Sequence, residues 1–240
     1  MIFFDDLETR SGDERAAELA DALPRQIARA KALGGYKTAL ADITAQDVNS
    51  AIALARLPVL RKSDLSQAQG AASPFGGFTT RTATGFGHIF QSPGPIYEPG
   101  GIEMDWWRMG RFLHACGIGS DDIVQNCFAY HLTPAGMIFE SGARAVGATV
   151  LPAGTGQTEL QVRAAVDIGA TAYAGTPDYL KVILDAADEM GETLHITKAA
   201  VGGGALFPSL RQEYADRGIA CLQCYATACL LYTSPSPRDS

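Results

Sequence analysis

The sequence predicts an α/β protein: an N-terminal helical region followed by a mainly parallel sheet with flanking helices. Three observations carry this. Residues 123–225 alternate short β-branched or apolar runs with segments of helical periodicity, strand–helix–strand four times over, the pattern of parallel strands joined by crossover helices. Before them, residues 11–56 show apolar spacing at three and four, which belongs to helices. Between the two lies a stretch rich in proline and glycine, residues 88–101, HIFQSPGPIYEPGG.

At the N-terminal end, Ser11-Gly12-Asp13-Glu14 matches a capping box, and Leu19, Leu23, Ile27 and Ala30 follow at helical spacing. Pro24 is a candidate kink or break in this helix. A second helix is expected over residues 45–56. LPVLRKSDL, residues 57–65, reads as an extended segment entering a turn. Residues 67–87, QAQGAASPFGGFTTRTATGFG, read as a long loop with room for one hairpin. Proline and glycine through residues 88–101 argue that neither helix nor strand runs there. A stiff loop at such a junction serves either to grip a small ligand or simply to connect. Residues 102–116 are expected to be helical, with Met104, Trp107, Phe112 and Leu113 supplying apolar surface. Trp106 and Trp107 are adjacent and cannot face the same way.

The alternation then gives strands at 123–130, 148–152, 171–175, 196–201 and 219–225. Helices are expected at 136–146, 160–168, 177–190 and 208–217. Pro177 sits in a first helical turn, where its missing N–H costs nothing. Ligands of such sheets bind at the carboxyl ends of the strands. Those ends carry residues 130–136, 153–158, 176–177, 202–205 and 225–228. They offer glycines, hydroxyls and aromatics with little charge, which suits a flat organic group and a nucleotide better than a metal.

Composition narrows the classes. A chain of 240 residues with 47% hydrophobic content makes one large domain or two small ones, and no apolar run approaches a membrane span. The N-terminus MIFFDDLETR turns acidic at once, unlike a signal peptide. A net charge of -7 argues against nucleic acid. Five scattered cysteines fit a reducing, cytoplasmic compartment. Cys221 and Cys224, three apart on a strand, should face opposite ways and so form no metal or redox pair. Gly154-Thr155-Gly156-Gln157-Thr158-Glu159 approaches GxGxxG, but Glu159 is bulky and anionic where a dinucleotide site wants a small residue. Of the 4 histidines, His131 at a strand end is the best placed for a site. No Ser-His-Asp arrangement follows from the spacing. Gly202-Gly203-Gly204 serves either a tight turn or a close backbone approach to a ligand.

Several blocks, in order, resemble the phenylacetate–CoA ligases of the adenylate-forming acyl-CoA synthetases. They are LPVLRKSDL (57–65), Tyr130-His131-Leu132, GATVLPAGTGQTELQV (147–162), Thr176-Pro177, Gly203-Gly204-Ala205 and Tyr225-Ala226-Thr227, across roughly residues 1–228. The resemblance implies ligation of an aromatic carboxylic acid to coenzyme A through an acyl-adenylate, with ATP, Mg²⁺ and coenzyme A. It places nucleotide binding on Ser92, Gly94, Gly202, Gly203, Gly204, Ala205, Tyr225, Ala226 and Thr227. It places acid binding on Tyr130, His131, Leu132, Thr133, Thr176 and Pro177. His131 stands where the family tends to have glycine, which predicts a smaller or more polar acid pocket. The family's phosphate loop ends in Gly-Lys-Pro, whereas QSPGPIYEPGG has no lysine, two prolines without N–H donors and Glu98 nearby. A non-adenylating homologue that binds nucleotide and acid is the alternative. Related enzymes are often dimers, and the sequence leaves the oligomeric state open.

The tail at residues 229–240, CLLYTSPSPRDS, resembles translated sequencing-adapter DNA; the rival is a short disordered tail. Read as foreign, it makes the chain an N-terminal fragment without the family's Mg²⁺-holding acidic residue and C-terminal catalytic lysine, and the fragment is expected to be inactive. The organisation expected is a helical and loop region at 1–86, an incomplete nucleotide- and acyl-binding subdomain at 87–228, and the tail.

Overall fold

The predicted alternation is present as five parallel strands: β3 (Ile123–Asn126), β4 (Thr149–Leu151), β5 (Ala172–Gly175), β6 (Lys198–Val201) and β7 (Ala220–Gln223). They are ordered β4-β3-β5-β6-β7 in a computed structural model that describes residues 3–72 and 74–226. The chain divides between Pro99 and Gly100 into two compact units, with the large sheet in the second. Thr227 and residues 229–240 lie outside the described residues.

In the second unit, α5 (Ala135–Ala145), α6 (Thr158–Ile168), α7 (Pro177–Met190) and α8 (Pro208–Asp216) connect successive strands. The period-2 alternation of each strand feeds two cores. On one face, Val124, Ala172, Ala174 and Ala200 pack with Phe128 and with Phe139 and Ala143 of α5. On the other, Tyr173, Ala199 and Val201 pack with Leu180 and Leu184 of α7 and Tyr214 of α8. Val162 of α6 packs against Ile183 and Ala187 of α7. Cys221 belongs to the second core while Cys224 packs on the first, the opposed placement expected of residues three apart on a strand.

The amino ends of three strands are tied by one buried carboxylate. Asp122 accepts from Lys198 Nζ at 2.8 Å, from Thr171 Oγ1 at 2.9 Å and from Gly119 N–H at 2.8 Å, joining the starts of β3, β5 and β6. Burial alone would raise the Asp122 pKa. The Lys198 ammonium and the two other donors outweigh it and hold the carboxyl below its ordinary value.

The first unit holds α1 (Gly12–Lys31), α2 (Ala51–Leu54), α3 (Lys62–Ala71) and the two-stranded sheet β1 (His88–Ser92) and β2 (Ile96–Gly100). Ser11 and Glu14 form the expected capping box, and α1 runs through Pro24 unbroken. Four sequence expectations are corrected. Residues 88–101 are not strand-free: the prolines at 93 and 95 fall in the turn, and the strands pair on either side. The connection is too short for a parallel crossover, so the pair is an antiparallel hairpin. Pro99 is tolerated in β2 because a two-stranded sheet has only edges. The helix over 45–56 is split, because the Ser50 hydroxyl accepts from Ala53 N–H and starts a new turn. The segment at 57–65 enters a helix, not a turn, and α3 claims part of the expected loop, with Asp64 accepting from Arg61 N–H at 3.4 Å. The helix over 102–116 shrinks to α4 (Gly110–Ala115). Asp105 and Arg108 adopt left-handed φ of 51° and 57°, and Asp105 Oδ1 accepts from Gly110 N–H at 3.0 Å. That local bond competes with helix continuation and caps the helix that does form.

Candidate active site at the carboxyl edge of the sheet

The strand order contains a reversal. From β3 the chain moves to β4 on one side, then crosses to β5 on the other and continues outward to β7. The loops leaving β3 and β5 therefore diverge at the carboxyl edge, and ligands of open α/β sheets bind at such reversal points. The predicted acid-binding residues sit on these two loops: Tyr130, His131, Leu132 and Thr133 after β3, and Thr176 and Pro177 after β5.

Asn126, fully buried at the end of β3, shapes the first loop. Its Nδ2 donates to Tyr130 Oη at 2.7 Å and to the Gly136 carbonyl at 2.9 Å, and its Oδ1 accepts from Phe128 N–H at 3.2 Å. Gly136 N–H closes the loop onto the Ala129 carbonyl at 2.9 Å. The approach leaves no room for a side chain, since a Cβ on Gly136 would lie 2.7 Å from that carbonyl and 2.8 Å from the Tyr130 ring. Burial, followed by the Glu140 carboxylate, pushes the Tyr130 hydroxyl well above the ordinary tyrosine range, so it stays neutral. Beyond it His131 is exposed, Leu132 is 67% exposed in a left-handed conformation (φ 61°), and Thr133 N–H returns to the His131 carbonyl at 2.8 Å.

The predicted acid and nucleotide residues meet at β5 and β6. Gly202 N–H donates to the Gly175 carbonyl at 3.1 Å. A Cβ on Gly203, whose φ is 73°, would sit 3.6 Å from Thr176 Cγ2 and 3.8 Å from the Phe128 ring. One on Gly204 would sit 3.4 Å from Pro177 Cδ. The Phe128 ring stacks on Phe139 with centroids 4.2 Å apart, giving an aromatic floor between the two loops. The Gly204 carbonyl accepts from Gln223 of β7, and Cys224 N–H donates to the Val201 carbonyl at 2.9 Å, which registers β7 beside the glycines. Tyr225 and Ala226 follow, with Tyr225 69% exposed; Ala205 and Phe207 are exposed as well. An exposed tyrosine beside exposed glycine backbone offers a stacking platform and amides to a flat heterocycle.

Ser92 and Gly94 lie in the first unit. Ser92 is buried, and its hydroxyl donates to the Glu98 carboxylate across the hairpin; Gly94 is the middle residue of the turn. A role for Ser92 on phosphate requires that pair to open.

Gln161 was not singled out from the sequence. On the buried face of α6 it donates to the Gly156 carbonyl at 2.7 Å and the Gly154 carbonyl at 3.1 Å, and accepts from Gln125 at 3.2 Å. The Gly154–Gly156 turn is thus wound by a side chain that takes up its carbonyls, in keeping with the poor dinucleotide fit. Asn126 was also missed. Both were detectable as polar residues on otherwise apolar faces.

Chemically the arrangement is suited to binding and orienting, and among the described residues of the edge the thiols are not activated nucleophiles. Burial raises the Cys127 thiol to about 12, and it raises Cys224 as well. Among the described residues no cluster of three or more His, Cys, Asp or Glu could hold a metal ion. A magnesium ion needs carboxylate or phosphate oxygens, and beside the glycines the carboxylate in reach is Asp178, 3.8 Å from a Gly204 Cβ position. The described residues therefore make a poor magnesium site, and no step is routed through one.

Comparison with known proteins agrees with this geometry. No family model matches the chain. It is 29% identical over 163 residues to the phenylacetate-coenzyme A ligase of Aromatoleum evansii, covering 65% of this chain and 36% of that protein. It is 26% identical over 175 residues to the phenylacetate-coenzyme A ligase of Thermus thermophilus, covering 69% and 38%. The matches thus span little more than a third of the length of these relatives. Among solved structures, an open conformation of 2-hydroxyisobutyryl-CoA ligase with 2-HIB-AMP and CoA superposes with a TM-score of 0.82 at 19% identity, over 90% of this chain and 50% of that one. The postadenylation state with R3-HIB-AMP gives 0.83 at 19% identity, over 93% and 50%. The fold is the one shared with these 2-hydroxyisobutyryl-CoA ligase structures. In sequence the chain is similar to the phenylacetate-coenzyme A ligases.

Proposed function

We propose that the full-length parent of this chain joins an aromatic, phenylacetate-like carboxylic acid to coenzyme A through an acyl-adenylate. The observation that carries this is the meeting of Thr176–Pro177 with Gly203–Gly204 over the Phe128 ring, at the reversal point of the sheet. In the first step a carboxylate oxygen attacks the α-phosphorus of ATP, and the bond to pyrophosphate breaks. In the second the coenzyme A thiolate attacks the acyl carbon, and AMP leaves. The thiols of Cys127 and Cys224, held protonated by burial, do not compete as acyl acceptors. Tyr130 to Thr133 and Thr176–Pro177 line the acid; Gly202 to Ala205, Tyr225 and Ala226 face the nucleotide. The aromatic floor and the neutral Tyr130 hydroxyl suit an uncharged ring, and a dry surface protects a mixed anhydride from hydrolysis.

The same reading places the parent in the cytoplasm, compatible with a homodimer, and assigns turnover to the longer protein. The 240-residue chain alone is expected not to complete the cycle. Full-length protein should show acid-dependent exchange of labelled pyrophosphate into ATP with phenylacetate. Folded protein that gives no exchange with any aryl or arylacetic acid would refute the ligase reading. A second reading, a homologue that binds acid and nucleotide without adenylating, is favoured by the Ser92–Glu98 pair and the prolines around Gly94. It predicts binding without exchange.

A further inference from the structure

We infer that α1 is a self-pairing surface: two copies of the chain meet along this helix, antiparallel, across a twofold axis. The inference stands on the first unit alone and is independent of the ligase reading. Its first support is an apolar stripe that is covered at one end and bare at the other. Ala16, Leu19 and Ala20, Leu23 and Ile27 follow one another at spacings of three and four, so they share one side of the helix. Near the carboxyl end the chain covers this side itself. Ile27 is buried, α1 packs on the short helical turn Ala45–Asp47, and Lys31 Nζ donates to the Ile43 carbonyl. Toward the amino end the cover stops. Every residue from Ser11 to Ala22 is exposed, and Leu19 keeps 44% of its surface in solvent. A lone exposed leucine needs no explanation, but this one continues a row that is core one turn and a half further on.

The second support is charge, and it names the occupant. Residues 12–21 carry four carboxylates, Asp13, Glu14, Glu18 and Asp21, against the single Arg15. Residues 22–31 carry Arg25, Arg29 and Lys31 and no carboxylate. The two halves of α1 are therefore opposite in sign and equal in size. A second α1 laid antiparallel sets each acidic half along a basic half and opposes the two helix dipoles. A parallel copy would set like halves together. Such an arrangement uses one patch twice and closes on itself, as a twofold pair requires. Within one chain Asp21 pairs with Arg25 and Glu18 with Arg10, but these are solvated surface pairs of little strength, so they do not hold the charges back from a partner. One helix per protomer makes a small interface, and the pairing is accordingly reversible and sensitive to salt.

The test is sedimentation velocity of the 240-residue chain over a hundredfold range of concentration, at low and at high salt. Expected is a monomer–dimer equilibrium whose Kd rises at least tenfold in high salt. Glu18→Lys with Asp21→Lys, and separately Arg25→Glu with Arg29→Glu, should each raise the Kd tenfold or more. All four side chains are exposed and lie outside the capping box, so helix content by circular dichroism should hold. The first double variant also moves the net charge of -7 toward neutrality, which would strengthen unspecific association where the specific pair weakens. An equimolar mixture of the two variants should dimerise again, because a basic helix then meets an acidic one. A chain that stays monomeric at low salt throughout the range would overturn the inference. So would dimers that neither reversal weakens, the behaviour of a parallel pair or of another surface, and so would weakened variants that do not recover on mixing.

Discussion

Replacing Asn126 by alanine should loosen the candidate site from beneath. The side chain is fully buried and makes three bonds: to Tyr130 Oη, to the Gly136 carbonyl and from Phe128 N–H. Tyr130 retains Glu140 as a partner after the change. The Phe128 N–H is left unsatisfied in a water-poor interior, whereas the Gly136 carbonyl lies in the first turn of α5 and keeps its intrahelical partner. An orphaned buried polar group costs about 1–3 kcal/mol, which sets the expected loss. Urea denaturation followed by tryptophan fluorescence and circular dichroism measures it. Amide exchange over residues 127–136 should accelerate in the same variant, while α7 and α8 keep their protection. A loss below about 0.5 kcal/mol, with exchange in the loop unchanged, would refute the view that this asparagine builds the loop.

Four further outcomes follow from the same structure. Asp122→Ala should cost about 1–3 kcal/mol, because it strips the donors at the starts of β3, β5 and β6 while Lys198 keeps access to water. Its carboxyl is depressed in the fold, so its stabilisation is present above the unfolded value near ~3.9 and fades as pH falls through the lower folded value; Asp122→Asn should flatten the stability profile of the wild type in that acid window. Gly136→Ala should destabilise by roughly 1–3 kcal/mol, since its Cβ meets the Ala129 carbonyl and the Tyr130 ring, and thermal melting reads it directly. Gln161→Leu keeps the volume but takes the side-chain donor from the Gly154 carbonyl and the acceptor from the buried Gln125 amide, while the Gly156 carbonyl keeps Tyr179 Oη at 3.2 Å; a loss of about 1–3 kcal/mol is expected in urea, with exchange rising in the 154–158 turn. In the full-length protein, His131→Gly should shift the ratio of rates between phenylacetate and its hydroxylated analogues, and an unchanged ratio would remove His131 from specificity.

The sheet was legible because parallel strands buried on both faces read as short apolar runs, and each helix between them carries its own period. Ser11 and Glu14 announced α1 for a similar reason: a capping box is local chemistry that the rest of the chain does not alter. The misreadings share the opposite cause. Residues 88–101 were expected to lack strands because prolines were counted without their register, whereas two of them occupy a turn that strands need. The helix expected over 102–116 obeyed its apolar spacing until Asp105 captured the Gly110 amide, a bond that depends on a left-handed backbone no periodicity reveals. The candidate site was partly visible as well. Thr176, Pro177, Gly203 and Gly204 were chosen from strand ends, and the fold sets them side by side. Asn126 and Gln161 stood out only as polar residues on otherwise apolar faces; the backbone groups they satisfy belong to other segments, which no local pattern reveals.

Photo-crosslinking the chain with an azido derivative of AMP, followed by peptide mapping, addresses the nucleotide site at the carboxyl edge most directly. Labels concentrated on residues 202–226, and competed away by a phenylacetyl-adenylate analogue, are the result this account predicts. Labels confined to the 154–163 turn and helix, or indifferent to the analogue, would contradict it.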